Sequence, residues 1–289
     1  MTSLPSNRPG PHSAEPLRLG VVSFLNTLPL IEGLQDLRDV RLRHSVPSRL
    51  IDLLLADEVD VALCSSIDYQ RTDQALLALP AGLLGCDGPT LTVRLYSMRP
   101  IERIERVHCD TDSHASVALL TVLLRELHGI DPVLVDYDAR EHVAENRPLP
   151  WPEAMLIIGD KVVTDSPPAV RYPHQVDLGA AWARHTGLPF VFALWLAREE
   201  PDPIRRRRVC TAGAVLDRQR RYNALRLEWI VHHRAPARRW PRDLARRYLT
   251  ENIACAVTAP RRRGLELFYD KAAEHGLIED RRPLRMAAM

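Results

Sequence analysis

The chain is short of several things, and each shortage excludes a class of function. Its basic residues are almost all arginine, with Lys161 and Lys271 the only lysines. Formal net charge is +2, and no arginine cluster is interleaved with aromatics. Neither nucleic acid nor a membrane surface is therefore the expected partner. No run approaches the roughly 20 apolar residues of a membrane span. The cysteines Cys64, Cys86, Cys109, Cys210 and Cys255 are odd in number, dispersed and without a CxxC pair. That is a poor disulfide framework and no zinc site, and it fits a reducing compartment. GxGxxG, the phosphate-binding P-loop, GxSxG and internal repeats are also missing. Residues 1–16 are rich in Pro and Ser and lack an apolar stretch, so they read as a disordered leader and not a secretory signal. The expectation is a cytoplasmic protein.

What is present is ordinary for a folded chain: 46% hydrophobic and 26% charged residues over 289 positions, enough for two lobes. Residues 17–22 read as a strand, followed by a polar turn carrying Asn26 and Thr27 and a helix start near Pro29. Residues 47–55 read as a helix with Pro47 in its first turn. Residues 58–64 read as a buried strand ending in Ser65 and Ser66. Short strands are expected at 90–96, 104–110, 131–137 and 154–158, and a long apolar strand at 190–197. Helices are expected from Ser116 onwards, over 177–186 with a Gly187 stop, and over 205–234, 241–255 and 264–276. The predicted class is α/β, each lobe a mainly parallel sheet flanked by helices. The expected division is 17–100 with 198–289 as the first lobe and 101–197 as the second.

Taken singly, the candidate residues are weak. Asn26 and Thr27 suit an ordinary turn, and Ser113 to Ser116 suit an N-cap as well as an anion site. Asp160 reads as a cap, a hinge partner or a ligand contact. His114 is of the residue type that acid–base chemistry near neutral pH favours, but it has no partner visible in sequence. The signal is collective. Several strand ends, far apart in the chain, finish in small neutral polar residues. That pattern makes a cleft for a compact oxygenated ligand, at the strand ends where open α/β sheets bind.

An ordered set of segments resembles the chorismate dehydratases of the futalosine route to menaquinone. These are residues 20–30 (GVVSFLNTLPL), 46–50, 59–63, 110–119, 158–160, 177–195 and 264–269. The resemblance implies a two-lobed fold of the type II periplasmic-binding-protein kind. It implies a hydro-lyase taking chorismate to 3-[(1-carboxyvinyl)oxy]benzoate and water, with neither metal nor cofactor. Asn26 and Thr92 would then be catalytic, and Thr27, Ser65, Ser66, Ser113, His114, Ser116, Gly159 and Asp160 would bind substrate. Four positions, in three places, depart from the family pattern. Thr92 stands for a serine, Ser65 for a proline, and Ser113-His114-Ala115-Ser116 for Ser-Arg-Thr-Ser. The alternatives are a 1,4-dihydroxy-6-naphthoate synthase-like enzyme of the same pathway or a non-catalytic cytosolic carboxylate-binding protein. A homodimer is left open.

Overall fold

The computed structural model describes residues 15–138 and 151–288. The expected leader lies almost wholly outside them, as does the first part of an expected loop at 148–152. Among the described residues ten strands run in chain order: β1 (Leu17–Val21), β2 (Val40–His44), β3 (Val61–Ser65), β4 (Leu76–Cys86), β5 (Val93–Ser97), β6 (Arg106–Asp110), β7 (Val133–Tyr137), β8 (Ala154–Ile158), β9 (His174–Asp177) and β10 (Phe190–Arg198). They form two five-stranded sheets, ordered β2-β1-β3-β10-β4 and β7-β6-β8-β5-β9.

Both sheets are mixed, not mainly parallel. In the first, β1 runs parallel to β2 and β3, while β10 is antiparallel to β3 and β4. In the second, β6 runs parallel to β7 and β8, while β5 is antiparallel to β8 and β9. The cause is the path of the chain. Strands β1, β3, β6 and β8 end at the junction between the sheets. Strands β5 and β10 arrive from the other sheet, start at that junction and so run the opposite way. Sheet membership also places the crossings at 87–92 and 187–189, not at the expected 100/101 and 197/198. A strand's own pattern of apolar residues does not reveal which sheet will take its hydrogen bonds.

Local sequence explains most of the helices. Pro47–Leu55 starts on its proline and buries Leu50, Ile51 and Leu54 against the first sheet. His114–His128 is capped by Ser113, whose side chain accepts from the Ser116 N–H, and ends at Gly129. Leu178–Thr186 is capped by Asp177 and ends at Gly187, as expected. Asp177 does more, because its carboxylate also accepts from the Thr90 and Leu91 N–H groups at 3.0 and 2.7 Å. One side chain thereby fixes the first crossing to the second lobe. Trp182, Phe190 and Phe268 pack edge to face beneath the second crossing, with centroids 4.8 to 6.1 Å apart.

The C-terminal third differs from its expected form in two places. The single helix expected over 205–234 is two, Pro203–Ala224 and Leu227–Arg234. The break follows buried Asn223, whose amide donates to the Glu32 carbonyl at 2.9 Å. The helix expected over 241–255 is the short Arg242–Arg247, which widens into a π turn at Tyr248–Asn252. The last helix, Ala259–Glu274, touches both β10 and the second-lobe helix His114–His128.

Candidate active site between the lobes

The ends of β1 and β8, the start of β5 and the start of helix His114–His128 converge on a cavity of about 40 Å³. Its lining includes Phe24, Asn26, Thr27, Thr92, Ser113, Ser116, Gly159 and Phe192, and contains no ionisable side chain. A space of this size holds a water molecule or a few and is too small for a substituted ring. A far wider groove, about 1210 Å³, lies on the outer face of the first lobe. Its Arg18, Arg205 and Arg208 are paired with Asp57 and Asp60, and it gathers no comparable set of neutral groups. The smaller cavity is therefore the candidate site.

Thr27 shapes the first wall. Its hydroxyl, fully buried, donates to the Val22 and Phe24 carbonyls, each at 2.8 Å, and closes the turn after β1. That turn, Leu25–Thr27, presents Asn26, which is 8% exposed and lines the cavity. Its Oδ1 has no hydrogen-bond partner among the described residues. A buried acceptor left open costs roughly 1–3 kcal/mol, so a ligand donor is the natural partner for it.

Thr92 stands at the end of the first crossing, and its Oγ1 lies 2.6 Å from the phenol oxygen of Tyr248. Asn26 is a second polar neighbour of that phenol. Burial holds the Tyr248 phenol far above its ordinary range, and the bonds to Thr92 and Asn26 only partly offset this. The phenol keeps its proton. Sequence reading missed Tyr248. The one usable signal was an aromatic with a hydroxyl in the last third of the chain, and nothing in that segment announces the π turn that directs it.

The other expected residues divide. Ser113 and Ser116 line the cavity, but their hydroxyls lie 3.0 Å apart and bond each other. Gly159 lines it at a φ of +68°, with the Phe24 ring against its α-carbon. Four others do not line it. The Ser66 hydroxyl donates to the Val191 carbonyl at 2.8 Å and stitches β3 to β10. Ser65 accepts from the Ala115 N–H at 2.7 Å, across the lobes. The Asp160 carboxylate accepts from the Leu25 N–H at 3.1 Å, also across the lobes. His114 turns its Nδ1 to Asp68 at 2.7 Å. Burial pushes the Asp68 carboxyl up, and His114 opposes that. Ser65, Asp160 and His114 thus bond across the lobes, whereas Ser66 bonds within the first sheet.

Comparison with known proteins agrees with this architecture. A sequence profile described as menaquinone biosynthesis matches residues 17–274. The chain belongs to this menaquinone-biosynthesis family. A chorismate dehydratase of Thermus thermophilus is 34% identical over 202 residues, 65% of this chain and 72% of that protein. An alkanesulfonate-binding protein of Xanthomonas axonopodis, solved with MOPS bound, superposes with a TM-score of 0.64 at 15% identity, over 93% of this chain and 96% of its own. A Candida albicans gene product with the generic periplasmic-binding-protein fold gives a TM-score of 0.62 at 10% identity, over 92% of both chains. The latter two share the fold with this member of the menaquinone-biosynthesis family, a two-lobed periplasmic-binding-protein-like body. Among its described residues no helix is long and apolar enough to cross a membrane. No group of three or more His, Cys, Asp and Glu side chains suited to a metal ion occurs among them either.

Proposed function

We propose that this protein is a chorismate dehydratase, a hydro-lyase that forms 3-[(1-carboxyvinyl)oxy]benzoate in the futalosine route to menaquinone. The observation that carries the reading is the open acceptor of Asn26, facing a cavity lined by hydroxyls and free of ionisable side chains. The family and the Thermus relative supply the substrate class.

The reaction removes the proton from the ring carbon that bears the enolpyruvyl ether. The C–H electron pair becomes the new ring double bond, and hydroxide leaves the neighbouring carbon and takes up the abstracted proton to become water. Aromatisation drives the step, so the protein's task is positioning and exclusion of rival rearrangements. Asn26 Oδ1 accepts from the substrate hydroxyl and holds it in register with the C–H bond that breaks. Thr92 donates to the same oxygen as it departs. With no ionisable group in the lining, the enolpyruvyl carboxylate of the substrate is the base at hand. Phe24 and Phe192 cover the ring and keep out water. Entry requires the lobes to part at Leu25–Asp160 and Ser65–Ala115.

Incubation with chorismate, followed by chromatography and mass analysis, tests the proposal. The expected product has lost one water and differs from prephenate and 4-hydroxybenzoate. Unchanged chorismate with retained binding would make this a carboxylate-binding protein instead.

A further inference from the structure

Tyr248 occupies a place that ordinary helix packing does not call for. The helix Arg242–Arg247 could continue on its own pattern, yet it widens into the π turn Tyr248–Asn252, closed by the Ile253 N–H on the Tyr248 carbonyl at 3.1 Å. Such turns are costly and recur at functional sites. This one has three consequences. It puts the Tyr248 phenol 2.6 Å from Thr92, and it puts Ile253 in the cavity wall. It also lets the Asn252 amide donate to the Pro89 carbonyl at 2.9 Å, three residues before Thr92. The Tyr248 ring is fully buried and stacked on Trp240, with centroids 4.9 Å apart and 17° between planes. Both partners of the Tyr248–Thr92 bond are thus fixed in place.

Hydrogen-bond direction follows from chemistry. A phenol is a stronger donor than an aliphatic hydroxyl, and either oxygen of this 2.6 Å pair can supply the proton. Among the described residues, Thr92 Oγ1 bonds nothing except Tyr248. We propose that Tyr248 is a positioning residue of the site. It donates to Thr92 Oγ1 and thereby directs the Thr92 proton into the cavity, at the oxygen that leaves. This rests on the dehydratase reading. Tyr248 and Thr92 then form one polarised pair, in which the phenol's bond strengthens the bond that Thr92 makes to the ligand. A purely structural phenol would satisfy a neighbour and leave turnover alone.

Steady-state kinetics on chorismate with wild type, Tyr248→Phe, Thr92→Val and the double variant tests this. Tyr248→Phe should lower kcat about 10- to 100-fold, the usual loss for a supporting group, and leave KM within about 3-fold. In the Thr92→Val background the same change should cost less than about 2-fold, because the two act as a unit. Should Tyr248→Phe fail to fold, a ring-fluorinated tyrosine at 248 keeps the shape and donates more strongly. It should raise kcat, and an unchanged kcat would overturn the role. A folded Tyr248→Phe enzyme as fast as wild type, or losses that multiply in the double variant, would also overturn it while leaving the dehydratase reading intact. A wild type inert towards chorismate sinks both.

Discussion

The cavity has two polar walls, and they differ in what their hydroxyls and amides are doing. On one side, Asn26 of the first lobe keeps an open acceptor and Thr92, at the end of the first crossing, is backed by Tyr248, so both have capacity for a ligand. On the second-lobe side, Ser113 and Ser116 bond each other and the helix N-terminus, and His114 is turned to Asp68. Residue types alone would rank the walls equally, since each offers small neutral polar groups. Hydrogen-bond satisfaction separates them. A group already paired must lose a bond to gain a ligand, so its net contribution is small. On the dehydratase reading the first wall is therefore the one proposed to act on the substrate, and the second to accommodate what the first orients.

The largest effect should therefore come from Asn26. Asn26→Ala removes the open acceptor and is expected to lower kcat about 100- to 1000-fold, the scale for deleting one preorganised polar group at a reacting oxygen. His114→Ala should change kcat less than about 3-fold and lower the melting temperature, because it leaves the buried Asp68 without its partner. Turnover and thermal melts of the two variants test the contrast. Similar losses in kcat would return His114 to the role of acid or base and erase the distinction between the walls.

A smaller effect should come from the seam where the walls meet. Gly159 has a φ of +68°, and a Cβ there would sit 2.9 Å from the Phe24 ring. Gly129, at a φ of +63°, has open space around it. Each Gly→Ala change forces a left-handed alanine, at about 1–2 kcal/mol. Gly159→Ala must also displace Phe24, which lines the cavity. It should raise KM several-fold beyond any change in Gly129→Ala, although the two lose comparable backbone stability. Equal KM values would mean that Phe24 yields freely and that the seam does not shape the site.

Much of this was legible in the sequence, for identifiable reasons. The turn after β1, the proline start at Pro47 and the glycine stop at Gly187 are local signals, and the structure keeps them. The segment 177–195 carries the densest resemblance, yet it supplies the hinge cap Asp177 and the aromatic packing of Trp182 and Phe190 more than ligand contacts. Long-range choices were not legible. The sheet that takes β5 or β10 depends on where the chain crosses. Whether Ser66 faces a ligand or a neighbouring strand depends on β10, whose pairing residue Val191 lies 125 positions away. Tyr248 is the extreme case, because its role needs a π turn and a partner 156 positions distant.

The effect least tied to turnover lies at the far end of the second wall's helix. Glu126 accepts from Lys271 Nζ at 2.8 Å and from the ring nitrogens of His275 and His185 at 3.1 and 2.6 Å. Burial pushes this carboxyl up from its ordinary 4.5, but those hydrogen bonds outweigh burial and bring it down to about 2. The sign follows from linkage. A carboxyl depressed on folding stabilises fully above its unfolded value, and that contribution is lost as pH falls through the folded one. Glu126→Gln, lacking the charge, should melt several degrees below wild type near neutral pH. The gap should shrink between about pH 4.5 and about pH 2, while kcat on chorismate near neutral pH stays within about 2-fold of wild type. Melting curves at about pH 7, 4 and 2.5 decide it. A gap that stays constant would make Glu126 a packing residue, whereas a large loss of kcat would mean that the second wall governs turnover after all.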